Sequence, residues 1–275
     1  MNAASHAAAE LAPPAPPHGW PRTRIVGYAL VGLWILAGIG MLAYLVAVWN
    51  AEWFQKYIPT YISGLQVTLG LVVISTILGA ILSLPIAYAR LSKNRLLSAL
   101  GYGYVYFFRG TPLIAQTFLI YYGVGSFRPE LEAIGLWWFF REAWYCAIFA
   151  FTLNTAAYQA EILRGAIQSV PRGQWEGAAS LGLHKLQTLR TVILPQALIV
   201  ALRPYGNEVI LMIKGSAVVA LITVPDLMGE TRLAFSRSFD FQSYIWAAVI
   251  YLALVEALRN GIEWIERRIT RHLKR

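Results

Sequence analysis

The sequence predicts an all-α integral membrane protein, a polytopic bundle of about six transmembrane helices. Three observations predict it. Hydrophobic residues make up 57% of the chain and charged residues only 13%, against roughly 25% charge in soluble domains. The apolar residues lie in runs close to the ~20 residues that a bilayer-spanning helix needs. The charges gather between those runs and fall mainly on one side of the implied membrane.

Taken in order, Met1–Pro21 is Ala/Pro-rich, and "LAPPAPPHGWP" favours extended polyproline conformation. Residues 1–24 are therefore expected to be disordered. Ile25–Trp49 is the first span, a retained helix that is too long and starts too late for a cleaved signal segment. The other spans are Gly64–Ala89, Leu97–Gly123, Trp144–Leu163, Val192–Ile213 and Tyr244–Trp264. Glycines such as Gly32, Gly38 and Gly40 suit close helix packing in lipid, although membrane composition alone also supplies them. Residues 265–275 form a basic tail.

With a cytoplasmic N-terminus, the inner segments carry Arg22, Arg24, Arg90, Lys93, Arg95, Arg164, Arg172, Lys185, Arg190, Arg267, Arg268, Arg271, Lys274 and Arg275. The outer segments carry Lys56, Arg128, Arg141, Arg232 and Arg237. This bias places both termini in the cytoplasm and accounts for the net charge of +9. A nucleic-acid surface would need a basic face on a soluble domain, and no segment is long enough to make one. The single cysteine, Cys146, rules out an internal disulfide, and no histidine falls within a span. No H-E-x-x-H, G-x-S-x-G or G-x-x-x-x-G-K-[ST] pattern occurs, so neither a metal site nor catalysis nor a phosphate-cradling loop is expected in this chain.

The inner loop 164–190 contains "QWEGAASLGLHKL". Trp175, Ala178, Ala179, Gly182, Leu183, Leu186 and Leu189 recur every three or four residues. The pattern is an amphipathic helix interrupted at Gly182. A helix lying on lipid has this period too. The small surface at Gly177, Ala178, Ala179 and Gly182 instead suits close approach by a cytoplasmic protein, with Glu176 as a negative handle.

This segment resembles the EAA loop of binding-protein-dependent ABC importer permeases, whose pattern is met by Glu176, Ala178, Gly182, Leu194 and Pro195. Gly177 and Val192 depart from it. "FRGTPLIAQ", "TLNTAAYQAEILRGAIQSVPRGQWE" and "NEVILMIKGSAVVALITVPDL" are similar to the polar amino-acid subfamily, most closely the histidine/lysine/arginine/ornithine and opine permeases. The likeness covers about Gly64–Arg275. It implies a type I ABC importer-like fold in the bacterial inner membrane, with a transmembrane domain over 64–264 and an additional helix at 25–49. It also implies ABC ATPase subunits docked on the loop, a second permease subunit similar or identical to this one, and a periplasmic substrate-binding protein. ATP and Mg would sit on the partners, the substrate would be an amino acid, and this chain would perform no covalent chemistry.

Charged groups inside lipid are candidates for the path. Arg109 lies midway along the third span beside Gly110 and Pro112. Glu161 lies near the inner end of the fourth, with Asn154, Thr155 and Tyr158 on one face. Arg203, Asn207 and Glu208 lie in the fifth. A zwitterionic substrate needs both signs, for which Arg109, Glu161 and Glu208 are candidates. Pairing of Arg109 with Glu208, or of Arg203 with Asn207, is the purely structural alternative. Lys214-Gly215-Ser216 and Pro225 bound an expected bend near the outer surface. An ion- or proton-coupled secondary transporter using Glu161 and Glu208 as relays is the competing class.

Overall fold

The computed structural model describes residues 21–273, and every regular element among them is helical. Residues 1–20, where disorder is expected, and Lys274 and Arg275 of the basic tail lie outside the described residues. Two units are distinct, residues 1–51 and 52–275.

The first unit contains α1, Arg22–Ala47. Expected disorder through residue 24 is corrected here, because the helix begins at Arg22. Pro21 supplies an extended N-cap, and its carbonyl accepts from the Arg24 amide at 2.8 Å.

The second helix, α2, runs Ala51–Leu91 over 41 residues, about 60 Å and twice the hydrocarbon thickness. The expected span began at Gly64. The added turns contain Lys56 and Pro59 and so lack an apolar run, but aromatic packing holds them. Trp53, Tyr57 and Tyr61 are buried against Leu227, Ala234 and Ala247. Tyr61 Oη donates to the Ser243 carbonyl at 2.7 Å.

The third expected span, Leu97–Gly123, is two helices. α3 is Arg95–Gly110, capped by Asn94, whose Oδ1 accepts from Leu96 and Leu97 amides at 2.9 and 3.2 Å. α4 is Leu113–Phe118, continued by a π turn to Gly123. The residue before a proline disfavours helical backbone, and Thr111 is extended (φ −111°, ψ 146°). Gln116 repairs the break, donating from Nε2 to the Phe108 and Thr111 carbonyls at 2.9 and 3.1 Å.

Short helices α5 (Arg128–Ala133) and α6 (Trp137–Phe140) lead to α7, Ala143–Ser169. α7 is the central post. Its buried face is largely alanine (Ala147, Ala150, Ala156, Ala157, Ala160), which lets neighbours approach closely. α8 is Arg172–Ser180 and α9 is Lys185–Thr188, followed by a π turn to Ile193. α10 is Leu194–Gly215, and its chain tightens to a 3₁₀ helix over Ser216–Ile222. The bend expected at Lys214–Pro225 is present, turning at Thr223 in a left-handed conformation (φ 69°). α11 is Leu227–Ser238, with Asp226 as its N-cap. α12 is Gln242–Ile269, followed by a 3₁₀ turn to Leu273, so most of the basic tail continues the last helix.

Leu71, Phe151, Ile213, Val219 and Ile222 form the main core, where α2, α7, α10 and the 3₁₀ segment meet. α1, α2, the α9–α10 run and α12 are long and apolar enough to cross a membrane. α7 has the length, 27 residues, but carries Asn154, Thr155, Gln159 and Glu161 within it.

Candidate functional site

Two regions contain the residues singled out by sequence. The first is the α8–α9 loop. Its apolar stripe divides in the structure. Trp175 and Leu189 pack on a cluster of Ala166, Val170, Ile193, Ala197 and Ala201, and Ala178 is 4% exposed. Glu176, Gly177 and Ala179 are exposed, and Leu181 and Leu186 point outward at 80% and 71% exposure. A helix lying on its apolar side would not divide in this way.

α8 ends in a Schellman turn. The Gly182 amide donates to the Ala179 carbonyl at 3.0 Å, and the Leu183 amide donates to the Ala178 carbonyl at 3.1 Å. Gly182 has φ +76°, and a Cβ there would meet nothing within 4 Å. The requirement for glycine is therefore conformational rather than steric. His184 caps the next helix, its Nδ1 accepting from the Gln187 amide at 3.2 Å. Leu194 and Pro195 form the first turn of α10, and Leu194 packs against Ala87, Ala160 and Leu163.

The second region is a buried polar belt about 20 Å along α10 from its start. Thr155 Oγ1 donates to Glu208 Oε1 at 3.0 Å. Gln159 Nε2 donates to Thr155 Oγ1 and to the Thr76 carbonyl, both at 3.1 Å. Asn154 Nδ2 donates to the Phe108 carbonyl at 3.0 Å and to Gln116 Oε1 at 2.9 Å. Arg109 lies in the last turn of α3 rather than mid-helix, its guanidinium 5.0 Å from the centre of the Tyr158 ring. No direct ion pair joins Arg109 to Glu208 among the described residues. Asn154, Thr155 and Glu208 are thus brought together, with Arg109 and Tyr158 as a second pair.

Glu161 stands apart. Arg90 Nε donates to its Oε1 at 2.8 Å, and Arg164 donates to its Oε2 at 2.6 Å. Asn207 is exposed and makes no hydrogen bond among the described residues. The expected Arg203–Asn207 pairing is replaced by Arg203 with Glu266 at 2.7 Å. Gln116, Gln159 and Arg90 were not anticipated as site residues. Gln116 and Gln159 are polar residues within apolar runs, 3% and 1% exposed. A search for buried amides as well as charges would have found them. Gln159 Oε1 has no hydrogen-bond partner among the described residues, an exception to the usual rule for buried acceptors.

Residues 79–271 match the family described as binding-protein-dependent transport system inner membrane component. The chain belongs to that family: it is a membrane component of a transport system and not an enzyme. α1 precedes the matched residues. Among similar proteins, the nopaline transport system permease protein NocM of Agrobacterium fabrum is 44% identical over 210 residues, covering 75% of this chain and 87% of that one. The arginine ABC transporter permease protein ArtM of Escherichia coli is 38% identical over 213 residues, covering 78% and 96%. A crystal structure of an amino acid ABC transporter with histidines matches with TM-score 0.71 and 34% identity, covering 80% of this chain and 99% of that one. An inward-facing MetNI methionine ABC transporter shares the fold at 20% identity and TM-score 0.65, covering 78% and 98%. The fold is that of a type I ABC importer permease. Nothing supports the ion-coupled alternative.

Proposed function

We propose that this chain is the permease subunit of an ATP-driven amino-acid importer, taking basic or polar amino acids or opines. Separate ATPase subunits supply the energy and hold ATP and Mg. A periplasmic binding protein delivers the substrate, and a second permease, similar or identical, completes the membrane unit. Both termini face the cytoplasm. Alternating access moves the substrate, with the bundle rocking as the ATPases close and open.

The observation that carries this reading is the two-sided α8. Trp175 packs on the cluster that contains Ile193 and Ala197 and Ala178 is buried, while Glu176, Gly177, Ala179 and Gly182 face outward. A push on the outer side is transmitted to the start of α10 at Leu194 and Pro195, and α10 carries Glu208. The polar belt supports the substrate class. Glu208 is a buried carboxylate held by one hydroxyl donor, Thr155, among the described residues, which leaves acceptor capacity for an ammonium or guanidinium. Arg109 offers the opposite charge to a substrate carboxylate. Asn154, Thr155, Tyr158 and Asn207 complete the proposed path. Glu161 is reassigned to the frame, because both its oxygens already face arginines.

The test is reconstitution with the ATPase and binding protein. The account expects uptake of L-arginine, L-histidine or nopaline, coupled to ATP hydrolysis. ATPase subunits that co-purify undiminished after Glu176→Lys and Gly182→Val, with hydrolysis still stimulated by substrate, would remove the coupling role of the loop.

A further inference from the structure

A groove of about 580 Å³ runs between α10 and α12, lined from Arg203 to Ile210 on the first and from Arg259 to Arg267 on the second. Its volume falls in the range of small-molecule sites, about 300–1,000 Å³. None of Arg109, Asn154, Thr155 or Glu208 lines it. The groove has a fixed base. A Cβ on Gly206 would stand 2.6 Å from Ile262 Cδ1, so the two helices touch there and the walls diverge from that contact.

Those walls carry both signs of charge. Asn207 comes from α10; Arg259, Glu263 and Arg267 come from α12. α12 is one of the helices apolar enough to cross a membrane, and Arg259 lies about 15 Å before its end. Arg259 and Glu263 side chains are 58% and 46% exposed. Charges at that depth facing lipid are costly, and such groups ordinarily face protein or a water-filled cavity. Their present partners are local. Arg259 donates to Glu256 at 2.6 Å and Arg267 to Glu263 at 3.2 Å, exposed pairs of the weakly held kind. Asn207 has both ends of its amide free among the described residues.

We infer that this groove, between α10 and α12, is a second station for the transported amino acid. It rests on the reading of the chain as an amino-acid permease. The substrate carboxylate accepts from Arg259, its ammonium donates to Glu263, and the Asn207 amide bonds to either end. A zwitterion suits the groove because it offers one opposite charge to each of Arg259 and Glu263, whose present partners Glu256 and Arg267 are on the same helix. A simple anion or cation would match only one of the two. Arg203 is held by both oxygens of Glu266, at 2.7 and 2.8 Å, and forms a fixed wall.

The experiment uses the reconstituted full complex with Cys146→Ala and a reporter, Ile210→Cys, which lines the groove without serving as a binding group. A lipid-facing control is Leu252→Cys, 67% exposed. The probe is a membrane-impermeant maleimide, with whichever of L-arginine, L-histidine and nopaline the wild-type complex takes up. The reporter should react and the control should not. Substrate at ten times its dissociation constant should slow labelling about tenfold. Arg259→Gln or Glu263→Gln should abolish that protection at equal complex yield, and Arg259→Lys should restore part of it. A silent reporter overturns the inference, since lipid or the second permease then covers the groove. Equal labelling with and without substrate also overturns it. So does protection that survives both charge variants, because the effect then comes from the Glu208 site. If the wild-type complex takes up none of the three compounds, the amino-acid reading fails and this inference fails with it.

Discussion

Glu161 and Glu208 are both carboxylates in long, mostly apolar helices, and in the sequence they have equal standing as path residues. The structure separates them. Glu161 is 13% exposed at its side chain and gives one oxygen to Arg90 and the other to Arg164. It ties α2 to α7 and has no capacity left for a ligand. Glu208 is 5% exposed and accepts one side-chain hydrogen bond among the described residues, from Thr155. An intramembrane charge therefore signals function only when its partners fail to neutralise it. A charge with matched partners belongs to the frame.

The largest expected effect is at Glu208. Replacing it with Gln removes a charge-assisted interaction worth about 1.5–3 kcal/mol, so uptake should fall roughly 10- to 150-fold while folded complex is recovered normally. Equal loss of complex and uptake would return Glu208 to the frame and collapse the contrast.

Glu161→Gln should act in the opposite way. Stability should drop by about 2 kcal/mol, between the values for exposed and buried pairs, with uptake per folded molecule retained. Arg90→Gln should cost a similar amount. The double substitution should cost less than the two single losses added together, since both remove one contact. Thermal unfolding of the detergent-solubilised permease measures this, and simple additivity would contradict the pairing.

A smaller effect is expected in the loop. Gly182→Val puts a β-branched residue at φ +76°, a strain of about 1–2 kcal/mol. The ATPase retained on purification should decline while membrane abundance of the permease holds. Gly182→Asn should be milder, because asparagine tolerates that backbone region.

The smallest effect is the most discriminating one for α8. A Cβ on Gly177 would meet nothing within 4 Å, so Gly177→Ala should stabilise the helix by about 0.5–1 kcal/mol. It should nevertheless lower ATPase retention if a partner's backbone comes close there. Packing within the chain cannot produce that opposition, and unchanged retention would remove Gly177 from the docking surface.

Much of this was legible in the sequence where one local signal dominated. Apolar run length located the helical spans, and the turn at Gly182 followed from a broken helical period. Legibility ended where tertiary packing took over. The first turns of α2 read as a polar loop with Lys56 and Pro59, yet Trp53, Tyr57 and Tyr61 bury them against α11 and α12. The break at Thr111 was concealed because apolar residues continue on both sides of it, and only Pro112 marked it. Within the site, spacing placed Asn154 and Thr155 on one face but left their partners unknown. Gln116, 38 positions before Asn154, and Glu208, 53 after Thr155, were brought to them by folding. The fate of Glu161 depended on Arg90, 71 positions away.

The central claim, that Glu208 serves the path and Glu161 the frame, is tested most directly by one quantity: substrate uptake per folded permease molecule in reconstituted complexes of Glu208→Gln and Glu161→Gln. The account predicts that the first value falls at least tenfold below wild type, the lower bound for losing a charge-assisted bond, and that the second stays near wild type. Retained uptake in Glu208→Gln, or an equal collapse in Glu161→Gln at matched folded yield, would contradict it.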